Sequence, residues 1–230
     1  MSQEFVLILF QVLVLALAFS VHESAHAYVA MRLGDPTAYM LGRVTLNPLK
    51  HLDPLGSVII PIVSMVYGGW LIGWAKPCPV TTRNFRHVKR DDILTSLAGP
   101  ASNLAMASIA LILLVLYKHL GGTPTIAAAM DVARHVPGID TTGLPLFPFA
   151  MLLYFAVTIN LLLFVFNLIP IPPLDGSHVL RQFLPYRVEQ VYNQIGGYGL
   201  LIIFLFGGSI IFHTFYYPLL NVFDNLLVAL

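Results

Sequence analysis

Four long apolar stretches alternate with more polar intervals along the chain. They predict helices at about 5–33, 92–117, 146–168 and 197–222. An α-helix rises about 1.5 Å per residue, so each stretch is long enough to cross a hydrocarbon core of roughly 30 Å. The pattern therefore predicts a multi-pass α-helical membrane protein, with the helix at 197–222 as its last spanning helix.

The interval between the first two helices, at about 39–80, is apolar but broken by prolines and glycines. Residues 55–74 are long enough to span, but Pro61 and the glycines near position 70 disfavour a straight spanning helix. We therefore expect a re-entrant segment, with a full span as the alternative. β-Branched and aromatic residues at 39–46 favour a short strand there, with a connecting loop as the alternative.

Composition supports the same class of protein. The chain is 57% hydrophobic and only 10% charged, with a mean hydropathy of +0.81. No polar interval is long enough to build a second core, so residues 1–230 are expected to form one membrane-embedded domain. A net charge of +1 without a basic stripe argues against nucleic-acid binding, and a lone Cys78 cannot form an internal disulfide.

The first helix carries ionisable residues where they are costly, in the stretch His22-Glu23-Ser24-Ala25-His26. Residues four apart share a helix face, so His22 and His26 can bind one metal ion, while Glu23 points just beside them. This H-E-x-x-H arrangement is typical of zinc sites in which the glutamate acts as general base. The alternative is that the two histidines only form hydrogen bonds to other helices. That alternative leaves the buried glutamate unexplained.

Two histidines leave a catalytic zinc short of one protein ligand. Asp175 is the best candidate, because it follows a proline-broken helix end where irregular backbone can line a cavity, and Gly176 permits close approach. The other candidates are Asp53, His51, Asp131 and His178.

Asp175 can reach the histidines only if the first and third helices end on the same side of the bilayer. A re-entrant segment at 55–74 satisfies this condition, and the basic residues agree with it. Residues 34–92 hold seven Lys and Arg, whereas 118–145 hold two. The positive-inside rule then places 34–92 and 171–196 in the cytoplasm.

With these residues in place, the sequence resembles the site-2 protease family of intramembrane zinc metalloproteases. The resemblance rests on three features in order: the H-E-x-x-H stretch, Ala98-Gly99-Pro100 in the second core helix, and Asn167-x-x-Pro170-x-x-x-x-Asp175-Gly176 after the third. It implies Asp175 as the third zinc ligand, a three-helix catalytic core and a site open to water from the cytosolic side. It also implies that Asn167 helps to hold the substrate.

The expected function is that of a zinc-dependent intramembrane endopeptidase in the plasma membrane. One Zn²⁺ per chain would be held by His22, His26 and Asp175, with Glu23 as the catalytic base. The partners would be the lipid bilayer and the transmembrane segment of a substrate protein. Asn103 is a second candidate for substrate contact, although interhelical hydrogen bonding suits it better.

A non-proteolytic transporter or metal-binding membrane protein using the same buried groups is the alternative function. No inverted repeat supports a transporter. The chain also differs from several family members, because no stretch could form a PDZ or CBS domain.

Overall fold

Three long apolar helices form the centre of the protein in a computed structural model that describes residues 3–66, 73–194, 198–199 and 208–230. They are α1 (Gln3–Leu33), α4 (Val88–Tyr117) and α6 (Phe147–Asn167). Each is long and apolar enough to cross a membrane. The prediction of a multi-pass helical membrane protein is therefore confirmed.

The three long helices pack against one another through small residues. Alanines that are almost fully buried lie on all three: Ala18, Ala27, Ala30, Ala107, Ala110 and Ala150. Small side chains let helix backbones approach closely where lipid offers no hydrophobic driving force. Asn103 on α4 donates to Asn160 on α6 at 2.8 Å, so a polar contact fixes the register of these two helices.

Helix α4 begins at Val88, one turn before the predicted start at residue 92. The reason is that Asp91 lies inside the first turn, where its Oδ2 accepts a hydrogen bond from the backbone N–H of His87 at 2.8 Å. After α4, the interval 118–145, for which the sequence predicts a loop with possible short helical pieces at about 126–133, contains α5 (Thr123–Ala133). Helix α6 keeps the predicted extent to within one residue at each end.

The segment between α1 and α4 contains short helical pieces. They are α2 (Thr37–Met40), a 3-10 turn (Pro48–Lys50), a π-helical turn (Pro54–Ile59) and α3 (Ile60–Val66). The prediction of a strand at 39–46 was wrong. Asp35 accepts a hydrogen bond from the N–H of Thr37 and so favours a helical start, and Gly42 then turns the chain with a φ of 68°.

The two ends of the 55–74 stretch lie beside each other. The backbone N–H of Trp74 donates to Gly56 O at 3.0 Å, and Ser57 Oγ donates to Trp74 O at 2.6 Å. An isolated antiparallel bridge joins Leu52 to Ala75. A chain whose ends are hydrogen-bonded to each other returns to where it began, as a re-entrant segment requires.

After α6 the chain forms α7 (Asp175–Arg181) and α8 (Tyr186–Gln194). Of the helix predicted at 197–222, residues 197 and 200–207 lie outside the described residues. The described part is helical from Gly208 and continues to Ala229, beyond the predicted end. It continues because Asp224 is paired inside the protein, with Arg134 at 2.7 Å and the hydroxyl of Tyr154 at 3.0 Å.

Asp35, directly after α1, ties this helix end to the chain before α4. The carboxylate accepts hydrogen bonds from the N–H of Thr37, the N–H of Thr81 and the side-chain amide of Asn84. Burial raises the pKa of Asp35, but these hydrogen bonds outweigh it and hold the pKa below its usual value. The ionised carboxylate therefore stabilises the folded state.

Replacing Asp35 with asparagine should lower the free energy of unfolding by about 2 kcal/mol at pH 7, because several donors lose a charged acceptor. A carboxylate with a lowered folded pKa stabilises above its unfolded pKa of about 3.9 and loses that effect as pH falls through the folded value. The difference between wild type and Asp35→Asn should therefore shrink below about pH 4. Unfolding in detergent from pH 7 to pH 3 measures this, with Asp131→Asn as control, since the carboxylate of Asp131 accepts no hydrogen bond within the described part of the chain. An equal difference at both pH values would contradict the prediction.

Candidate active site

His22 and His26 lie one turn apart on α1, and both are almost fully buried. Their Nε2 atoms face each other at 3.0 Å. The carboxylate of Asp175 reaches the same point, with Oδ2 at 3.1 Å from His22 Nε2 and Oδ1 at 3.4 Å from His26 Nε2. One ligand atom from each of the three residues lies within 4.8 Å of the other two, which is close enough to hold a metal ion.

Asp175 reaches the histidines because α6 ends at Asn167 and the proline-containing turn that follows returns the chain to α1. Gly176 makes this turn possible, since a Cβ there would lie 2.3 Å from Leu168 O. Arg181 on α7 contacts Asp92 of α4 at 3.3 Å, so a second contact holds the short helix in place. The position of Asp175 is thus fixed from both sides.

The far nitrogen of each imidazole is held by an acceptor. His22 Nδ1 lies 2.6 Å from Asn103 Oδ1, and His26 Nδ1 lies 2.7 Å from the carbonyl oxygen of Thr95. The amide nitrogen of Asn103 is used on Asn160, so its oxygen must face His22. Because neither acceptor can donate, each Nδ1 carries the proton and each Nε2 presents a lone pair, which is the tautomer of a metal-binding histidine.

Three acceptors therefore converge with no donor between them. Asp175 Oδ2 is buried and has no hydrogen-bond donor, because the neighbouring Nε2 atoms carry no proton. Two lone pairs and a carboxylate at this separation repel one another unless a cation lies among them, so the residues fit zinc.

Gly99 of α4 forms the wall behind the two imidazoles. A Cβ at this position would lie 2.3 Å from His26 Nε2 and 2.5 Å from His22 Nε2. No other residue type leaves room for both rings. Steric exclusion of any Cβ atom thus explains why glycine occupies position 99 in the Ala98-Gly99-Pro100 stretch.

Glu23 stands beside this group and does not belong to it. Glu23 is 9% exposed, and its Oε2 accepts a hydrogen bond from the backbone N–H of Cys78 at 2.7 Å. Within the described part of the chain, the second oxygen, Oε1, accepts no hydrogen bond. The role of Glu23 as an acid or base stays a prediction.

The rival third ligands have other partners or lie elsewhere. His51 is fully buried with Nε2 at 2.8 Å from Thr45 O, and Asp53 accepts from the N–H groups of Leu55 and Gly56 as a helix cap. Asp131 lies on α5, which connects the other ends of α4 and α6. His178 Nδ1 is 3.3 Å from Arg181.

The two asparagines proposed for substrate contact have different positions. Asn103 is fully buried behind His22, so it orients the imidazole and cannot reach a substrate. Asn167 is half-buried at the end of α6, where its amide donates to Leu163 O at 3.0 Å. Its carbonyl oxygen remains available, and its role in substrate contact stays a prediction.

Several contributors to the site could not be predicted from the sequence. The carbonyl of Thr95 and the N–H of Cys78 are backbone groups. Nearly every residue type has such groups, so the amino-acid type does not indicate their role. The glycine at 99 was noted only as part of a resemblance, although glycine inside a helix generally signals a packing reason.

A family model described as Peptidase family M50 matches residues 10–207. The chain belongs to peptidase family M50, the site-2 protease family. The protein named "Putative zinc metalloprotease YwhC" of Bacillus subtilis (strain 168) is 38% identical over 210 residues, which are 91% of this chain and 85% of that protein. No solved structure matches the chain.

A second relative, "Putative zinc metalloprotease Rip2" of Mycolicibacterium smegmatis, is 28% identical over 187 residues, 81% of this chain and 62% of its own length. The matches and the apolar helices together make this protein an integral membrane metalloprotease of the M50 type. The names of the relatives support zinc as its metal.

Replacing Gly99 with alanine should weaken zinc binding by on the order of 10- to 100-fold, because the new methyl group displaces both imidazoles. Zinc content of the purified protein after dialysis against graded chelator measures this. Ala101→Val is the matched control, since Ala101 is exposed on the same helix and its enlargement should leave zinc content unchanged. Equal zinc retention in Gly99→Ala and wild type would mean that the metal lies elsewhere.

Proposed function

We propose that this protein is a zinc-dependent endopeptidase that hydrolyses peptide bonds within or near transmembrane segments of other membrane proteins. One zinc ion would be held by His22, His26 and Asp175. The observation that carries the proposal is the convergence of these three acceptors among apolar helices, with the carboxylate of Glu23 beside them. A purely structural metal site would have no use for this extra carboxylate.

Each residue has a distinct part in the chemistry. A zinc ion held by His22, His26 and Asp175 would supply Lewis acidity, which polarises a carbonyl group and lowers the pKa of a water molecule. Glu23 takes the proton of the attacking water at Oε1, while Oε2 stays bound to the N–H of Cys78, and later delivers the proton to the leaving amine. Asn103 and Thr95 keep the two imidazoles in a single tautomer.

The site favours an unwound substrate. A transmembrane helix has all its backbone groups hydrogen-bonded, so a scissile bond must leave the helix before it can be attacked. An edge strand at 39–46 or 75–80 is one way to hold an extended substrate by strand addition, with connecting loops as the alternative. The first is not a strand, and in the second the N–H groups of Lys76 and Cys78 are already used, while Pro77 and Pro79 have none.

We further propose that the site opens to the cytosol and that the protein resides in the plasma membrane. His22 and His26 lie in the C-terminal half of α1. The interval that follows α1 carries most of the basic residues, which favours the cytosolic side. Water for hydrolysis would then enter from that side.

Zinc analysis combined with cleavage of quenched fluorescent single-span transmembrane peptides in detergent tests this function. Wild type should contain about one zinc per chain and cleave. Glu23→Gln should keep its zinc but lose 10²- to 10⁴-fold in kcat, because general base catalysis is removed. Asp175→Ala should lose both zinc and cleavage.

Asp53→Ala is the matched control, because it removes a carboxylate that caps a helix without touching the histidines. It should keep zinc and activity at the cost of about 1 kcal/mol in stability. Cleavage retained by Glu23→Gln would refute the proposal. Zinc binding without any cleavage by wild type would favour the transporter or metal-binding alternative.

A further inference from the structure

Arg43 is a buried charge whose partners are backbone carbonyls. The residue is 6% exposed, and among the described residues its guanidinium takes part in no ion pair. Burying a charge is expensive unless it is paired or well hydrogen-bonded. A residue kept in such a position needs a purpose beyond local packing.

The guanidinium joins two segments that are distant in sequence. Its Nη1 donates to Lys50 O, and its Nη2 donates to Lys76 O and to Pro77 O, the latter at 3.0 Å. The same two segments are paired by the N–H of Lys76, which donates to His51 O at 2.8 Å. Arg43 therefore fixes the place where the chain enters the stretch 77–79.

The stretch Pro77-Cys78-Pro79 presents a single backbone donor. Proline has no N–H, so Cys78 supplies the only one in these three residues. The proline that follows also restricts Cys78 to extended conformations. The sequence thus makes a stiff support for one N–H, and that N–H lies 2.7 Å from Glu23 Oε2.

We propose that Arg43 is a positioning residue that holds Pro77-Cys78-Pro79 against Glu23, so that the N–H of Cys78 orients the catalytic carboxylate. This inference rests on the proposed function, in which Glu23 moves the proton. Occupying Oε2 with a fixed donor leaves Oε1 as the oxygen that receives it. Lysine could not replace arginine fully, because a point charge cannot bind diverging carbonyls with the geometry of a planar fork.

Cys78 is the only cysteine, so its thiol reports on the position of this segment without any engineered label. The thiol is half-buried, and burial together with the charge of Glu23 raises its pKa to about 12. Maleimide should therefore label zinc-loaded wild type slowly at pH 7.5. Arg43→Gln should speed labelling on the order of tenfold by releasing the segment, with Arg43→Lys in between.

Arg90→Gln is the control, since Arg90 is an exposed arginine paired with Asp91 and should leave the labelling rate unchanged. Zinc content and thermal stability are measured on every variant. Unchanged labelling in both Arg43 variants would overturn the role of Arg43. If Arg43→Gln does not fold, Arg43→Lys alone decides this point.

Cys78→Pro tests the N–H directly against Cys78→Ala as reference, because both lack the thiol and only the first lacks the donor. With zinc retained, Cys78→Pro should show a kcat on the order of tenfold below that of Cys78→Ala, with similar KM, on the transmembrane peptides. Equal kcat values, or a change confined to KM, would overturn the inference. If Cys78→Pro does not fold, the same kcat and KM comparison between Arg43→Lys and wild type decides.

The two proposals fail in different ways. If wild type and Glu23→Gln cleave equally, the proposed function is wrong whatever the labelling shows. If wild type cleaves and Glu23→Gln does not, while the Arg43 and Cys78 variants behave like their references, only the inference about positioning is wrong.

Discussion

The architecture depends on one requirement: a ligand near the end of α1 and a ligand just after α6 must meet on the same side of the bilayer. Three helices that each cross once would place these ends correctly only if the segment between α1 and α4 does not add a crossing. The hydrogen bonds between Gly56, Ser57 and Trp74 fold that segment back on itself. The meeting of His22, His26 and Asp175 is thus a consequence of topology as much as of the residue types themselves.

The second constraint is the absence of bulk water among the helices. Polar atoms there must be satisfied by other protein groups, and around the site they form a continuous series. His22 contacts Asn103, Asn103 donates to Asn160, and Asn160 donates to Ala156 O on its own helix. Such a series ends on a backbone acceptor, so it fixes proton positions as well as ring orientations.

The sequence predicted the parts of the protein that follow from periodicity. A four-residue spacing placed His22 and His26 on one face, and the proline break after Asn167 marked the return of the chain at Asp175. Features that depend on local hydrogen bonds and backbone turns were harder to predict. The start of α4 was missed because Asp91 binds an N–H from within the first turn, and the strand at 39–46 failed because Gly42 turns the chain.

The contacts of Arg43 could not be predicted, for a different physical reason. Its partners are the backbone carbonyls of Lys50, Lys76 and Pro77, and every residue offers a carbonyl. Only the folded chain shows which carbonyls converge. Long-range contacts to the backbone leave no pattern in a single sequence, whereas pairs of opposite charges or repeated apolar positions do.

The position of Cys78 has a consequence for inhibitor design. An electrophile that reached the thiol would become bound to the residue whose backbone N–H contacts the carboxylate of Glu23. Because burial and the charge of Glu23 raise the pKa of this thiol to about 12, little thiolate forms at neutral pH, so mild reagents would spare it and only a strong electrophile would react. Selectivity among metalloproteases would then come from a covalent bond at Cys78, since zinc ligation alone discriminates poorly.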